Sequence, residues 1–310
     1  MKVLLAGATG ALGAPLTSAL LADGHEVIAL SRRQRPATPG VKSVVADALD
    51  RDALLRAVDG LHADAVIHEL TALSKAPTRH SGMAQTDRLR IEGTTNLLAA
   101  ADAIGARRFV TQSIIFGYGY RDLGDRLITE DDPFGRPQGG KVNRHLAALL
   151  STEQQAFTAP EGIALRYGLL YGGDVAALVP LLQNRRLPVS RGGVLGWVHH
   201  ADAAAATVAA LDRGRAGEAY NIVDDLPVSW ADLFTAMAVA VGAPEPRRLP
   251  PWLMRMAAPY VATFAVGTSM RVSNAKARAE LGWRLQYRTY RDGLAAVSAA
   301  RRANLRSVSN

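Results

Sequence analysis

The first thirteen residues of the chain, MKVLLAGATGALG, constrain its fold more than any other stretch. Residues 2–6 form a short apolar run of the kind that becomes a buried strand. Glycines follow at positions 7, 10 and 13, and residues 14–22 then have helical composition, with Pro15 tolerated in a first turn. The order of strand, glycine turn and helix predicts a unit whose turn binds a dinucleotide.

Each of the three glycines has a physical reason to lack a side chain. Gly7 permits the tight turn, Gly10 lets the backbone approach a pyrophosphate, and Gly13 lets the helix pack closely on the strand. Free N–H groups and the dipole at the start of the helix would hold the anion. A glycine-rich turn without a ligand is the alternative. The predicted cofactor contacts in this turn are Gly7, Thr9, Gly10, Ala11, Leu12 and Gly13.

The end of the second predicted strand, residues 26–30, indicates which dinucleotide is bound. It is followed by Ser31, Arg32 and Arg33, with no acidic residue among them. An NAD site has an acid about twenty residues beyond the glycines for the ribose 2′-hydroxyl, whereas arginines pair with the 2′-phosphate of NADP. The sequence therefore favours NADP(H) over NAD(H), with these three residues as ligands.

Two further predicted strands, residues 41–46 and 65–68, also end in candidate cofactor contacts. Asp47, followed by Ala48, would bond the adenine amine, or alternatively begin a turn or cap the next helix. Leu70 and Thr71 come after the other strand. His68 has no second histidine or acid at ligand spacing, so we predict no metal site.

The rest of the first half alternates between helical and strand patterns, which argues for a parallel, doubly wound sheet. The predicted elements are a polar loop over 73–89 at the pocket mouth with basic Lys75, Arg79 and His80, a helix over 92–106, a strand over 109–112, a loop over 117–141, a helix over 142–157 and a strand over 163–167.

Composition excludes several classes of protein. The 310 residues include no cysteine, so disulfides, thiolate metal sites and cysteine nucleophiles are excluded. The net charge of +8 comes from scattered arginines without a nucleic-acid motif, so we expect no nucleic-acid partner. Met1 leads directly into the first strand, which leaves no room for a signal peptide and predicts a cytoplasmic protein.

One apolar stretch, residues 252–270, is about long enough to span a bilayer. Arg255, Pro259 and Gly267 interrupt it. We interpret it as helical segments that cover a pocket or form a core, with contact with a membrane surface as the alternative, and we expect no membrane partner.

Six motifs occur in order along the whole chain: GATGALG, RRFVTQSIIFGYG, ALRYGLLYGGD, GWVHHADAAAA, EAYNIVDD and LGWRLQYRTYRDGL. With them the chain resembles the short-chain dehydrogenase/reductase superfamily, in its extended or atypical branch of NAD-dependent epimerase/dehydratase-like proteins. The resemblance implies an α/β fold with a Rossmann-type doubly wound parallel sheet and a smaller, mostly helical C-terminal substrate-binding part. It also implies a small-molecule substrate and a monomer or homodimer.

The same resemblance implies a division of the chain. Residues 1–168, joined by 197–224, would form the NADP-binding Rossmann domain, and Tyr167 would contact the cofactor. Residues 169–196 and 225–310 would form the substrate part. The pocket would lie between them, outside the carboxyl ends of the strands.

The family's usual catalytic residues are a Ser or Thr, and a Tyr and a Lys four residues apart on the helix after the fifth strand. Ser113 matches the first of these. Counting back from Glu153, which resembles the family's usual acid, places Leu149 at the lysine position and His145 at the tyrosine position. Arg90 stands where the pattern often has asparagine. The usual triad is therefore absent or rebuilt.

Three rebuilt sites are open. His145 would serve as the acid, since imidazole titrates near neutrality, unless it is only a partly exposed helix residue. Tyr118 or Tyr120 would supply a phenol, unless they are pocket-wall residues. Otherwise the protein itself performs no proton transfer. We take Ser113, His145 and Tyr118 as catalytic candidates, and as substrate contacts Tyr120, Arg90, Leu170, His199 and Trp252, although His199 could instead orient a loop.

These residues predict an NADP(H)-dependent oxidoreductase acting on a small hydrophobic or aromatic compound. The hydride acceptor would be a carbonyl, a conjugated C=C bond or a C=N bond, and the last two demand less of a Tyr–Lys pair. The alternatives are a redox-neutral epimerase, dehydratase or cyclase on the same fold, and a non-catalytic NADP-binding sensor.

Overall fold

The computed structural model describes residues 1–34, 36, 38–73, 77–173 and 175–308, so Lys75 of the predicted basic loop lies outside the described residues. The strands are β1 Lys2–Ala6, β2 Glu26–Ser31, β3 Val41–Val45, β4 Ala65–His68, β5 Arg108–Ile114, β6 Asp122–Ile128, β7 Glu161–Tyr167, β8 Leu169–Tyr171, β9 Val194–Leu195, β10 Trp197–His199, β11 Glu218–Ile222, β12 Val228–Ser229 and β13 Ser269–Val272.

The α-helices are α1 Gly13–Ala22, α2 Arg51–Val58, α3 Ala84–Arg88, α4 Thr94–Ala103, α5 Asn143–Ala156, α6 Val175–Gln183, α7 His200–Arg213, α8 Trp230–Ala240, α9 Pro251–Ala257, α10 Pro259–Ala265, α11 Ala275–Leu281 and α12 Tyr290–Val308. Short 3₁₀ turns cover His80–Met83, Ile115–Tyr118 and Gly140–Val142.

Seven strands form one sheet in the order β3-β2-β1-β4-β5-β7-β11, and every pair in it is parallel. Helices cover both faces of this sheet, which explains why β1 is apolar at nearly every position. Val3 and Leu5 pack towards α1 and α7, while Leu4 and Ala6 pack towards α2 and α4. The predicted doubly wound parallel sheet is confirmed.

The strand order reverses between β1 and β4, which opens a crevice at the carboxyl ends of the strands. Strand β11 comes much later in the sequence than the other six strands of the sheet, and it pairs with β7. This crevice is where a doubly wound sheet binds its ligand, and the glycine turn after β1 lies at its edge.

A separate apolar core joins the C-terminal helices to the residues that follow β5. It includes Phe116, Trp230, Tyr260 and Phe264. The apolar stretch 252–270 divides into α9 and α10, as the interrupting residues predict. Within the described part of the chain, no helix combines the length and apolar character needed to cross a bilayer.

Two sequence-based expectations about loops are wrong. The predicted loop over 73–89 becomes helical at Ala84, and α3 runs through a π-helical turn, Leu89–Gly93, into α4. The predicted loop over 117–141 contains β6, which pairs with β13 near the C-terminus. Both segments are polar, and their partners are distant in sequence, so periodicity alone could not reveal them.

Helix α5 is fixed to the sheet by a buried ion pair. The guanidinium of Arg166, on β7, donates to both carboxylate oxygens of Glu153 at 2.8–3.2 Å. Their side chains are only 7% and 3% exposed. This bidentate pair sets the rotation of α5, and therefore decides which of its residues face the crevice.

Removing one member of this pair leaves the other charged and buried without a partner. We expect Glu153→Gln to lower the free energy of unfolding by about 3–5 kcal/mol. Urea denaturation measures this change. Glu245→Gln, which removes an exposed partner of Arg248, is the control and should change stability far less. Equal effects of the two substitutions would contradict the anchoring role of Glu153.

Candidate functional site

The glycine turn after β1 has two positions that the protein itself requires and one that it does not. Gly7 has φ +105°, and a Cβ there would lie 2.7 Å from the carbonyl oxygen of Glu69. A Cβ on Gly13 would lie 2.2 Å from the carbonyl oxygen of Gly7. A Cβ on Gly10 would meet only that same oxygen, at 3.3 Å. Gly10 is thus exposed and has one close neighbour, so a ligand can approach it from outside.

The start of α1 is suited to an anion. Its N-cap residue, Leu12, makes no side-chain capping bond, and its first turn contains no acid. Thr9, Gly10 and Ala11 are exposed around it. The Gly10 and Gly13 N–H groups donate within the turn, whereas those of Ala11 and Leu12 make no hydrogen bond to a described residue. These two groups can bind a pyrophosphate, so the residues present fit a dinucleotide.

The end of β2 presents two free cations. Arg32 and Arg33 are exposed, and neither guanidinium makes a hydrogen bond or an ion pair with any described residue. The Ser31 hydroxyl donates to the carbonyl oxygen of Arg33 at 2.8 Å, which stabilises the turn. Unpaired guanidinium groups at this strand end suit a phosphate.

The other predicted cofactor contacts follow β3 and β4. Asp47 is exposed and accepts the Leu49 N–H at 3.0 Å, while Asp50, not Asp47, caps α2. Ala48 is buried, and Leu70 and Thr71 are half-buried. All of them border the crevice at the carboxyl ends of their strands.

Tyr167 and Glu69 form a buried pair behind the glycine turn. The Tyr167 hydroxyl donates to Glu69 Oε1 at 3.0 Å and contacts Thr207 Oγ1 at 2.7 Å. Burial raises the pKa of Glu69 to about 8. A protonated Glu69 places no negative charge near a bound pyrophosphate. Sequence analysis missed Glu69, although an acid directly after a central apolar strand is an available signal.

Strand β5 delivers Ser113 to the crevice. Its side chain is fully buried, and its Oγ has no hydrogen-bond partner among the described residues. Leu149 on α5 is fully buried and apolar, at the position where the family pattern has its lysine. The site therefore keeps the serine and lacks the lysine.

His145 is fully buried, which excludes the partly exposed alternative. Its Nδ1 lies 2.7 Å from Asp87 Oδ2, and its Nε2 lies 3.1 Å from Nδ1 of His80. The other ring nitrogen of His80 lies 3.3 Å from the Thr263 hydroxyl. Sequence analysis missed Asp87 and Thr263 and placed His80 only in a basic loop, because these partners are far apart along the chain.

The Tyr118 hydroxyl is fully engaged inside the protein. It accepts from Arg166 at 2.9 Å and donates to Asn221 at 2.7 Å. Burial raises the pKa of Tyr118. Its proton is therefore committed to Asn221, and the geometry favours a supporting role over proton transfer.

Arg90 and Tyr120 lie near His145. Arg90 is buried, with Nη1 3.7 Å from Asp87 Oδ1 and no hydrogen bond to that nitrogen from the described residues. Tyr120 stacks on Phe116, with ring centroids 5.0 Å apart. Arg90 therefore gives the site a buried cation with one nitrogen that makes no hydrogen bond to a described residue, and Tyr120 gives it an aromatic surface.

The remaining predicted substrate contacts are more peripheral. Nδ1 of His199 accepts the Ala201 N–H and caps α7, and burial lowers the pKa of His199 to about 4. Leu170 is half-buried on β8. Trp252, on α9, is 61% exposed, so it is not buried with the residues around His145.

A family model now accounts for this arrangement. The sequence model described as the NAD dependent epimerase/dehydratase family matches residues 3–223. The chain belongs to this family. Within the family pattern, the unusual feature of this member is the pair His145 and Leu149 on α5.

Curated relatives of this family member are named as reductases. A "3-diazoavenalumate denitrifying reductase" from Streptomyces sp. is 38% identical over 95% of this chain and 99% of the relative. A "2-alkyl-3-oxoalkanoate reductase" from Stenotrophomonas maltophilia is 29% identical over 79% of this chain and 77% of the relative. These names support an oxidoreductase on the epimerase/dehydratase fold.

Solved structures share the fold over nearly the whole chain. The dTDP-glucose 4,6-dehydratase DesIV from Streptomyces venezuelae, with NAD bound, has a TM-score of 0.78, 24% identity and 98% coverage of both chains. A human epimerase family protein with NADPH has a TM-score of 0.77, 20% identity and coverage of 96% and 99%. These neighbours show the fold, and the matching family is itself described as NAD dependent.

One group of possible metal ligands occurs among the described residues, next to the amino end of β2. Asp23, His25 and Asp212 lie there, with His25 Nε2 3.2 Å and 3.7 Å from the two carboxylates. The crevice itself contains no such group within the described ranges. The absence of a metal stays a prediction.

The glycine geometry predicts two different results for one added methyl group. Gly10→Ala meets one backbone oxygen at 3.3 Å, so it should lower the melting temperature far less than Gly13→Ala does, while NADPH affinity falls about tenfold or more because the methyl group meets the pyrophosphate. Gly13→Ala should lower both the melting temperature and the NADPH affinity. Thermal denaturation and fluorescence titration measure them. Unchanged NADPH binding by Gly10→Ala would contradict the proposed approach of the phosphate.

Glu69 predicts a pH dependence of stability. Because its folded-state pKa of about 8 lies above that of an unfolded glutamate, the folded protein binds an extra proton between these values. Stability should therefore fall as pH rises from 5 to 8, by up to about 1.4 kcal/mol per pH unit. Glu69→Gln should flatten this slope in urea denaturation. Burial also raises the pKa of Asp224 to about 8. Asp224 is present in both the unaltered protein and Glu69→Gln, so its contribution to the slope cancels in the comparison. Identical slopes would show that Glu69 is ionised.

Proposed function

We propose that this protein is an NADPH-dependent reductase that removes a diazo group from an aromatic compound and leaves hydrogen in its place. The observation that carries the proposal lies on α5. A buried, doubly engaged His145 and a buried Leu149 occupy the two positions where the family pattern has its tyrosine and lysine.

Carbonyl reduction needs an acid, because negative charge develops on the carbonyl oxygen and must be protonated. An arenediazonium group is already cationic and accepts hydride without forming an oxyanion. When bound, NADPH would supply the hydrogen and both electrons, so that an arenediazonium and NADPH yield an arene, dinitrogen and NADP⁺. The loss of the Tyr–Lys pair is therefore compatible with this reaction and unfavourable for ketone reduction.

The surroundings of His145 support an aromatic substrate. The ring of Tyr260 lies 5.5 Å from it and the ring of Tyr120 lies 6.4 Å from it, centroid to centroid. Aromatic walls of this kind pack against planar rings. The relative named for 3-diazoavenalumate, which this chain matches over 95% of its length, supports the same class.

Two buried polar groups would orient the substrate. The Ser113 hydroxyl is free to donate one hydrogen bond, and Nη1 of Arg90 is free to pair with a phenolate or carboxylate on the ring. Arg90 also lies close to Asp87, so its charge is only partly compensated at 3.7 Å.

The decisive experiment offers the purified protein two substrates with NADPH. With 3-diazoavenalumate we expect one dinitrogen released for each NADPH oxidised, and with a 2-alkyl-3-oxoalkanoate we expect no oxidation. Gas analysis and absorbance at the NADPH band measure these. Oxidation only with the ketone would make the protein a ketoreductase. Conversion of either compound without NADPH consumption would favour the redox-neutral alternative.

The cofactor preference rests on the two free guanidinium groups after β2. Arg32→Ala combined with Arg33→Ala should weaken NADPH binding about tenfold or more, the equivalent of about 1.4 kcal/mol, and leave NADH binding nearly unchanged. Fluorescence titration measures both constants. Arg248→Ala, an exposed arginine outside the sheet, is the matched control. Equal losses for NADPH and NADH would contradict recognition of the 2′-phosphate.

A further inference from the structure

Four side chains form a continuous chain of contacts that runs from the buried Asp87 on α3 to Thr263 on α10. Asp87 Oδ2 lies 2.7 Å from His145, His145 lies 3.1 Å from His80, and His80 lies 3.3 Å from Thr263 Oγ1. The two imidazole rings are 8° from parallel with centroids 5.4 Å apart. At that separation they meet edge to edge, which suits an in-plane hydrogen bond between the nitrogens.

The chain has two hydrogen-bonded states that differ by one proton. A carboxylate only accepts, so the His145 Nδ1–H donates to Asp87. In the first state, His80 Nδ1–H donates to His145, and His80 Nε2 is a free base. In the second, His145 Nε2–H donates to His80, and His80 Nε2–H donates to the Thr263 hydroxyl. That hydroxyl donates in turn to the Pro259 carbonyl oxygen at 2.9 Å.

Only the outer histidine can reach a substrate. His145 is fully buried with both ring nitrogens bonded, whereas His80 is half-buried and, in the first state, its Nε2 keeps a free lone pair beside Thr263 Oγ1. Burial and the nearby His145, Arg144 and Lys141 lower the pKa of His80. This shift favours the neutral form of the His80 ring.

We propose that His80 is a catalytic proton shuttle, which removes the N–H proton of an aryldiazene and returns it to the ring carbon as dinitrogen leaves. This rests on the proposed function. Hydride addition at the terminal nitrogen of the arenediazonium gives the aryldiazene. His80 Nε2 takes the N–H proton, the N–H electrons complete the N≡N bond, and the C–N pair stays on the ring carbon. The proton then passes from His80 to that carbon, so no net proton is consumed.

Asp87 and His145 are positioning residues in this scheme. Asp87 fixes the tautomer of His145, and His145 accepts or returns the hydrogen of His80 Nδ1 as His80 changes its charge. Thr263 serves as the outer acceptor. The same atoms therefore support both the removal and the return of a proton.

The origin of the new hydrogen on the ring carbon tests the shuttle. In D₂O with ordinary NADPH, we expect deuterium at the carbon that lost nitrogen, because the proton on half-buried His80 exchanges with solvent. Mass spectrometry of the arene measures it. Dinitrogen release with no solvent deuterium would mean direct hydride addition at carbon, which overturns the shuttle and leaves the proposed function intact. No dinitrogen and no NADPH oxidation would overturn the proposed function itself.

Substitution of His80 separates an enzymatic shuttle from spontaneous decay of a released aryldiazene. With His80→Ala, we expect dinitrogen release to slow about tenfold or more relative to NADPH oxidation. Added imidazole should restore it, and NADPH affinity by fluorescence titration should stay within about twofold. His62→Ala, a histidine with 71% side-chain exposure, is the control. Unchanged dinitrogen release and deuterium content in His80→Ala would overturn the shuttle.

Discussion

The site depends on the buried ion pair between Glu153 and Arg166. Two charged side chains are removed from water, and their bidentate geometry compensates that cost only in one orientation of α5 on β7. Arg166 also lies 3.9 Å from the centre of the Phe134 ring and donates to Tyr118. The pair thus orders the helix, the strand and the segment after β5 together.

That orientation turns one face of α5 towards the crevice. His145 and Leu149 are spaced by one helical turn, so both are buried when Glu153 is buried. Asp87, on α3 just before the π-helical turn, places its buried carboxylate against His145. Helix α10 completes the arrangement with Tyr260 and Thr263. A structure that preserves the family's frame therefore carries a different set of chemical groups.

Much of the fold and part of the site could be predicted from the sequence. The glycine spacing and the alternation of strands and helices are local patterns, and the family resemblance then places His145 where the usual tyrosine stands. The partners of His145 could not be predicted, because Asp87 is 58 residues away and lies in a polar segment without helical periodicity. Nor could the engagement of Tyr118, whose partner Asn221 is 103 residues away.

The sequence by itself determined the doubly wound sheet, the glycine turn and the chemical type of the residues on α5, because backbone sterics and hydrophobic periodicity act over a few residues. Only the tertiary structure decided which polar groups are free. Ser113 and Arg90 keep unpaired atoms, while Tyr118 and Tyr167 spend their hydroxyls inside the protein. Burial and hydrogen bonding depend on elements distant in sequence, and these two effects set which group can hold or move a proton.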